Sequence, residues 1–152
     1  MSKFIPALLF KNICDSVPLA GVDILVLDPE NRVLLLKRNN QPAKGLWWFP
    51  GGRILLKETR IQAVRRKLEE ECSLEAETIE ECGTFDTIFS EEVGGASCHQ
   101  VSTLYLARVA TNTVVVDNQT LEYRWAAPRK WLTESLPTFV NDSISKWADL
   151  NG

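Results

Sequence analysis

The spacing of hydrophobic residues predicts strands along most of the chain. An almost unbroken apolar run over Leu19–Leu27 predicts a buried strand, and residues 32–38 predict a second one. Residues 28–31 between them have a proline at the second position of a turn, so the two strands are expected to form a hairpin. Further strands, the first two separated by Gly94 and Gly95, are predicted at residues 83–92, 97–110, 114–116 and 122–126.

Helical spacing is clearest over residues 58–72. Hydrophobic residues recur there every three or four positions and predict one buried stripe, made of Ile61, Val64, Leu68 and Cys72. Residues 141–150 have the composition of a terminal helix. Because strands dominate and the helices must pack around them, the pattern predicts the α+β class with a mixed β-sheet.

Length and composition place these elements in one domain. The chain has 152 residues, of which 45% are hydrophobic and 24% are charged. A chain of this size buries a core without disulfides or a structural metal, so we expect residues 1–152 to form a single domain. No apolar run approaches the roughly 20 residues that span a bilayer, and the four cysteines contain no C-x-x-C pair. These features predict a cytoplasmic protein with reduced thiols and no membrane partner.

Charge and histidine content restrict the chemistry. The net charge of −3 argues against sequence-independent nucleic-acid binding, which needs an excess of basic residues. His99 is the only histidine, so a histidine-rich zinc site and a pair of histidines acting as acid and base are excluded. Catalysis must therefore rely on carboxylates, and a carboxylate site indicates a hard cation such as Mg²⁺.

The segment that begins at Gly51 and Gly52 carries the candidate chemistry. Two glycines after a proline allow a tight turn and the close approach of a carbonyl group to a ligand. The acids at positions 69–71 lie near the C-terminus of the predicted helix, where the helix dipole disfavours negative charge. Arg66 and Lys67 offset this repulsion in part. A bound cation would relieve the rest, and the alternative interpretation is a solvated helix face with salt bridges.

This segment resembles the Nudix box, G-x5-E-x7-R-E-U-x-E-E-x-G-U, in which U is a bulky apolar residue. The matching residues are Gly52, Glu58, Arg66, Leu68, Glu70, Glu71 and Leu74. Lys67 stands where the family has glutamate, and Ser73 stands where it has glycine. The resemblance implies the Nudix α/β/α sandwich. It also implies a hydrolase, dependent on Mg²⁺ or Mn²⁺, that acts on a nucleoside diphosphate linked to another group.

Within the Nudix family, the chain is most similar to the GDP-mannose mannosyl hydrolase branch. The likeness lies in the Gly-Gly-Arg of Gly51–Arg53 and in residues 10–19, 34–45, 118–119 and 123–125. It implies a nucleoside diphosphate sugar, such as GDP-mannose or GDP-glucose, that is cleaved to free sugar and nucleoside diphosphate. It also implies a homodimer, with the helical segment of residues 1–18 at the interface.

The resemblance further implies roles for individual residues. The implied metal ligands are the Gly51 carbonyl, Glu70, Glu71 and Gln119. The residues implied to contact or organise the substrate are Asp23, Arg38, Arg53 and Arg66. Arginine suits this role because its planar donors bind diphosphate oxygens in pairs. The residues implied to act in catalysis are Arg53, Arg66 and Glu70. His99 is interpreted either as a substrate contact or as a strand-end residue that its neighbours satisfy.

Thr120 leaves the reaction open. The branch has a histidine base directly after the metal-binding glutamine, whereas this chain has threonine, a poor base near neutral pH. The chain also keeps both Glu70 and Glu71, which is typical of Nudix enzymes that cleave P–O–P bonds. Two hydrolytic functions follow: glycosidic cleavage of a nucleotide sugar, and pyrophosphate cleavage of a nucleoside diphosphate derivative. The departures at Lys67, Ser73 and Thr120 favour a third, the binding of a nucleotide sugar without catalysis.

Overall fold

A mixed β-sheet with helices on both faces forms the protein. The computed structural model describes residues 4–40, 43–89 and 98–151. In chain order the elements are α1 (Ala7–Ser16), β1 (Leu19–Leu27), β2 (Val33–Arg38), β3 (Trp47–Trp48), β4 (Gly51–Arg53), α2 (Arg60–Cys72), β5 (Ala76–Phe89), β6 (Cys98–Val109), β7 (Thr120–Ala126), α3 (Pro128–Trp131) and α4 (Thr138–Asn151). Across the described ranges, every helix is too short or too polar to cross a lipid bilayer.

Strand β1 is the centre of the sheet. The order of the main path is β3-β2-β1-β6-β5, with β4 paired to β1 and β7 paired to β2. β1 and β6 run parallel from the Leu19–Gln100 pair to the Leu27–Arg108 pair. The pairings of β1 with β2, β1 with β4 and β5 with β6 are antiparallel. The predicted mixed sheet and the predicted hairpin of the first two strands are therefore confirmed.

Both faces of β1 are buried from Gly21 to Leu27, which explains the almost unbroken apolar run of this strand. Val22, Ile24 and Val26 pack on the side of α2. Leu25 and Leu27 pack on the opposite side, against a second core that includes residues of α3 and α4. A strand that is covered on both faces has no solvent-facing positions, so its sequence does not alternate. The two cores confirm the predicted α/β/α sandwich.

Helix α2 begins at a capping box. The Thr59 hydroxyl accepts a hydrogen bond from the Gln62 N–H at 3.2 Å, and the Gln62 side chain accepts one from the Thr59 N–H at 2.9 Å. Three residues of the predicted stripe are buried, but Ile61 is 41% exposed and Ala63 is buried instead. The first helical turn lies at the exposed edge where Arg60 pairs with Glu81 of β5 at 2.9 Å. The prediction for Ile61 was therefore wrong.

Two other predictions differ from the structure. β5 begins at Ala76, seven positions before the predicted strand. The prediction missed this start because most side chains of β5 are exposed, so its sequence lacks a hydrophobic pattern. The predicted strand at 114–116 was wrong: no β-strand forms there. Residues 114–116 are apolar because they pack at the end of α2. Val114 is buried there, and the Val115 N–H donates to the Cys72 carbonyl at 3.0 Å. The predicted turn at Gly94 and Gly95 lies outside the described residues.

Candidate active site

Most of the predicted site residues meet at one cavity of about 760 Å³. It lies where the ends of β1, β2 and β4 approach α2 and the start of β7, and residues of α1 line its outer side. The predicted residues that line it are Asp23, Arg38, Gly51, Arg53, Glu71 and Gln119. Arg66 and Glu70 lie behind this wall, and His99 lies away from it.

Gly51 is in the cavity wall because β4 lies very close to β1. Gly51 pairs with Asp23, and Gly52 pairs with Val22. A Cβ atom on Gly51 would lie 2.2 Å from the Val22 carbonyl oxygen, so no other residue fits there. The sequence predicted a tight turn at these glycines, and that prediction was wrong because both residues are extended in a strand. Glycine is required at position 51 because β4 lies so close to β1.

Glu71 is a largely buried acid in the wall of the cavity. Its side chain is 13% exposed, and its Oε1 lies 3.0 Å from the Lys67 ammonium nitrogen. The Gly51 N–H also donates to Oε1 at 3.4 Å, which joins the helix to β4. Burial raises the pKa of Glu71, the Lys67 ammonium lowers it, and the charge of Asp117 raises it further. A cation beside this carboxylate therefore stabilises its ionised form.

Arg66 connects the loop before α2 to the helix and to β4. Its Nε and Nη2 donate to the two oxygens of Glu58 at 2.7 and 2.9 Å. Nη1 donates to Glu70 at 3.2 Å, and Nη2 donates to the Arg53 carbonyl at 2.9 Å. The Glu58 carboxylate also accepts from the Leu55 N–H at 3.1 Å. The hydrogen bonds that Arg66 donates to Glu58 raise the pKa of Arg66. Arg66 thus organises the site from behind the cavity wall.

Asp23 and Arg38 form the inner wall of the cavity. Asp23 is 4% exposed and accepts hydrogen bonds from the Trp48 indole at 3.0 Å and from the Ser102 hydroxyl. Burial raises the pKa of Asp23, while these two hydrogen bonds and the charge of Arg38 lower it. The pKa of Arg38 is lowered by burial and raised by the charges of Glu71 and Asp23. The sequence indicated that Asp23 needs a partner but did not identify Trp48 or Ser102.

Gln119 is held beside the end of β2 by its backbone. Its carbonyl accepts from the Asn39 N–H at 2.9 Å, and its own N–H donates to Asp117 at 3.1 Å. The Thr120 hydroxyl lies 3.5 Å from the same Asp117 oxygen. The sequence did not single out Asp117, although an acid two positions before the predicted glutamine ligand was a usable signal. Its charge adds to the negative potential at Glu71.

His99 lies on the face of β6 that points away from the cavity. Its Nε2 lies 3.0 Å from an Asp86 oxygen, at an exposed position between β5 and β6. Cys98 and Gln100, on either side of it, line the cavity. Alternate residues of a strand point to opposite faces, so His99 is directed away from the cavity. The alternative interpretation, a strand-end histidine satisfied by a neighbour, agrees with this geometry.

The oxygen donors around Glu71 fit a hard divalent ion. Carboxylate, amide and carbonyl oxygens are the ligands that Mg²⁺ accepts, and Glu71, Gln119 and Gly51 all line the cavity. Within residues 4–40, 43–89 and 98–151, no three side chains of aspartate, glutamate, histidine or cysteine form a metal cluster. A divalent ion here would therefore depend on amide and carbonyl oxygens as well as on carboxylates.

Sequence comparisons give this arrangement a family context. The NUDIX domain family model matches residues 17–147. The low-salt glycan biosynthesis protein Agl8 of Haloferax volcanii is 34% identical over 106 residues, which cover 68% of this chain and 67% of that protein. The 8-oxo-dGDP phosphatase NUDT18 of Mus musculus is 31% identical over 137 residues, which cover 88% of this chain. The chain spans 36% of the length of that phosphatase.

Solved structures share the fold. A MutT protein from Methanosarcina mazei superposes with a TM-score of 0.77 at 22% identity, covering 90% of this chain and 97% of that one. The NUDIX domain of Shewanella oneidensis NrtR, solved in complex with ADP ribose, superposes with a TM-score of 0.75 at 22% identity. That match covers 99% of this chain and 95% of the other. At these identities the likeness establishes the architecture alone.

Proposed function

Because the chain belongs to the Nudix hydrolase family, we propose that it hydrolyses a nucleoside diphosphate sugar of the GDP-mannose or GDP-glucose type. The products are free sugar and nucleoside diphosphate, and the reaction depends on Mg²⁺, which Mn²⁺ can replace. The observation that carries this proposal is that two arginines, Arg38 and Arg53, line the same cavity as the largely buried acid Glu71. A diphosphate requires cationic donors and a metal site together, and this cavity offers both.

The proposed roles follow from position in the cavity. Arg38 and Arg53 bind the diphosphate oxygens, because a guanidinium group donates hydrogen bonds in pairs and spreads positive charge over the leaving group. Glu71, Gln119 and the Gly51 carbonyl hold the divalent ion, which when bound supplies a Lewis acid to the departing diphosphate. Asp23 organises this wall through Trp48 rather than by contacting solvent. Arg66 and Glu70 position the acid and the strand that carry these groups.

A conventional pyrophosphatase reaction is the second candidate. Thr120 occupies the position of the branch's histidine base, and the structure directs His99 away from the cavity. The absence of a histidine base in the described part of the cavity favours a reaction at phosphorus. One relative is named as an 8-oxo-dGDP phosphatase, and one structural neighbour was solved with ADP ribose. In contrast, the relative named for glycan biosynthesis favours a sugar-linked substrate.

We expect hydrolysis in ¹⁸O-labelled water to separate these reactions. The protein is incubated with Mg²⁺ and, in turn, GDP-mannose, GDP-glucose and ADP-ribose, and the products are identified by mass spectrometry. Attack at the sugar carbon places ¹⁸O in the free sugar, which is the expected result. Nucleoside monophosphate and sugar phosphate as the products, with ¹⁸O in one of the two, would instead establish P–O–P cleavage. A parallel incubation with EDTA is the control. A rise in melting temperature without any product would identify a nucleotide-sugar binding protein.

We further propose that the protein is a homodimer that associates through α1. No residue of this helix is buried, and its outer side exposes Leu8 by 73% and Leu9 by 52%. Exposed leucines that adjoin one another favour burial against a second copy.

Light scattering after gel filtration should give about twice the 17.1 kDa mass of one chain, and L8K/L9K should give the single-chain mass. V115K, at a position that is 63% exposed elsewhere, is the matched control. A monomeric wild type contradicts the proposal. The cytoplasmic location stays a prediction from the sequence.

A further inference from the structure

Lys67 is built into the carboxylate cluster of the cavity. Its ammonium nitrogen lies 3.0 Å from Glu71 Oε1 and 3.6 Å from Glu70 Oε2. The lysine side chain is 13% exposed, as is that of Glu71, so the Lys67–Glu71 pair is largely withdrawn from water. At such positions an ion pair is screened far less than on the surface. The lysine therefore contributes a substantial fixed positive charge at this point.

The neighbouring strand leaves room for the lysine. A Cβ atom on Gly52 would lie 3.0 Å from the Lys67 Cε and 3.3 Å from its Nζ. A larger residue at position 52 would push the ammonium group away from the acids. The lysine is thus confined between β4 and the glutamates, with little freedom to swing into solvent. This confinement distinguishes it from an exposed helix salt bridge, in which both partners remain mobile.

The charges around Lys67 are those that a cation must balance. Glu70 and Glu71 are adjacent, and the charge of Asp117 acts on Glu71 as well. Arg66 compensates Glu70 at 3.2 Å but is already committed to Glu58 by two hydrogen bonds. Lys67 forms ion pairs with both Glu70 and Glu71. Its side chain therefore carries the positive charge that a second metal ion would otherwise supply.

We propose that Lys67 is a positioning residue that, together with Arg66, neutralises Glu70, so that Glu70 is not a divalent-ion ligand. Lys67 also pairs with one oxygen of Glu71, Oε1, and divalent binding is left to the other oxygen of Glu71 with the amide and carbonyl oxygens of the cavity. A site with an acid at position 67 would bind more divalent ions, or the same ions more tightly. The lysine also keeps the cluster stable when no divalent ion is present. This inference rests on the metal site of the proposed function.

Mn²⁺ binding tests the first part of the proposal. Free Mn²⁺ is counted by electron paramagnetic resonance in titrations of the wild type, K67E and K130E. K130E makes the same charge change at an exposed position on α3 and is the matched control. K67E should bind at least one additional Mn²⁺ ion, or bind the same number about tenfold more tightly, since an added carboxylate replaces a repelling charge. Binding of Mn²⁺ with equal stoichiometry and affinity by the wild type, K67E and K130E would overturn the proposal.

Thermal unfolding tests the second part and does not depend on turnover. In EDTA, K67M should lower the melting temperature by about 6–10 °C, because two glutamates lose their shared cation. Mg²⁺ should restore most of this loss in K67M while shifting the wild type only slightly. A K67M protein as stable as the wild type in EDTA would overturn the inference. If no protein in the series binds Mn²⁺, the metal assignment of the proposed function fails, and the EDTA measurement still decides the role of Lys67.

Discussion

Glu71→Gln is expected to lower Mg²⁺-dependent turnover by about a thousandfold and to leave the fold intact. The substitution keeps the shape of the side chain but removes the charge of the buried acid beside Gly51 and Lys67. A divalent ion contributes several kcal/mol of transition-state stabilisation, and a loss of about 4 kcal/mol corresponds to a thousandfold in rate. Burial opposes the ionised form of Glu71, so the neutral glutamine should be accommodated without unfolding.

The measurement is the turnover number at saturating substrate, with circular dichroism as the check on folding. Glu69→Gln is the matched control, because it makes the same chemical change on the same helix at an exposed position. This control should retain the turnover of the wild type. If Glu71→Gln kept Mg²⁺-dependent turnover within tenfold of the wild type, Glu71 would not be a metal ligand.

Arg66→Met should cause a large loss of stability. The arginine side chain is 16% exposed, and its removal leaves the 13%-exposed Glu58 without its bidentate partner. Deleting one partner of a fully buried ion pair costs about 3–5 kcal/mol in the free energy of unfolding, so we expect about 2–3 kcal/mol for this part-buried pair. For a chain of this size, that loss lowers the melting temperature by roughly 4–12 °C. The Arg53 carbonyl also loses its donor, so kcat/KM should fall by about tenfold or more as the strand shifts.

Urea unfolding of Arg66→Met and Arg65→Met gives the comparison. Arg65 precedes Arg66 on the same helix and makes one weak hydrogen bond, to the Ala76 carbonyl at 3.4 Å. Its replacement should change the free energy of unfolding by about 1 kcal/mol or less. Arg66→Lys should recover only part of the loss, because a lysine cannot donate to both oxygens of Glu58 in the same geometry. Equal stabilities of the Arg65 and Arg66 variants would refute the buried network.

Local sequence patterns were enough to predict much of the fold. Burial is visible directly in the continuous apolar run of β1 and in the spacing of Val64, Leu68 and Cys72. In both elements the hydrophobic pattern of neighbouring residues shows which face packs on the core. β5 was placed seven residues late because it is mostly exposed, and a polar strand carries little periodic signal. The extent of the β1–β6 pairing depends on contacts more than seventy positions apart, which no local window contains.

The same division applies to the site. One loop and one helix contain four of the site residues, Glu58, Arg66, Glu70 and Glu71. Their fixed spacing made them recognisable in the sequence. Asp23 is different: its partners Trp48 and Ser102 are 25 and 79 positions away. The direction of His99 depends on which face of β6 meets the cavity, and the register of that strand against β1 decides this. Long-range pairing therefore determines the parts of the site that the sequence left open.

The position of Lys67 has a consequence for how such sites diverge. Every lysine codon differs from a glutamate codon at one base, so the covalently attached cation and the box's usual acid are separated by one mutation. Because Gly52 leaves space for either side chain next to the two glutamates, that mutation needs no compensating change in the backbone. Under the role proposed for Lys67, a gene encoding this fold can therefore change, in one step, how many divalent ions the site takes up.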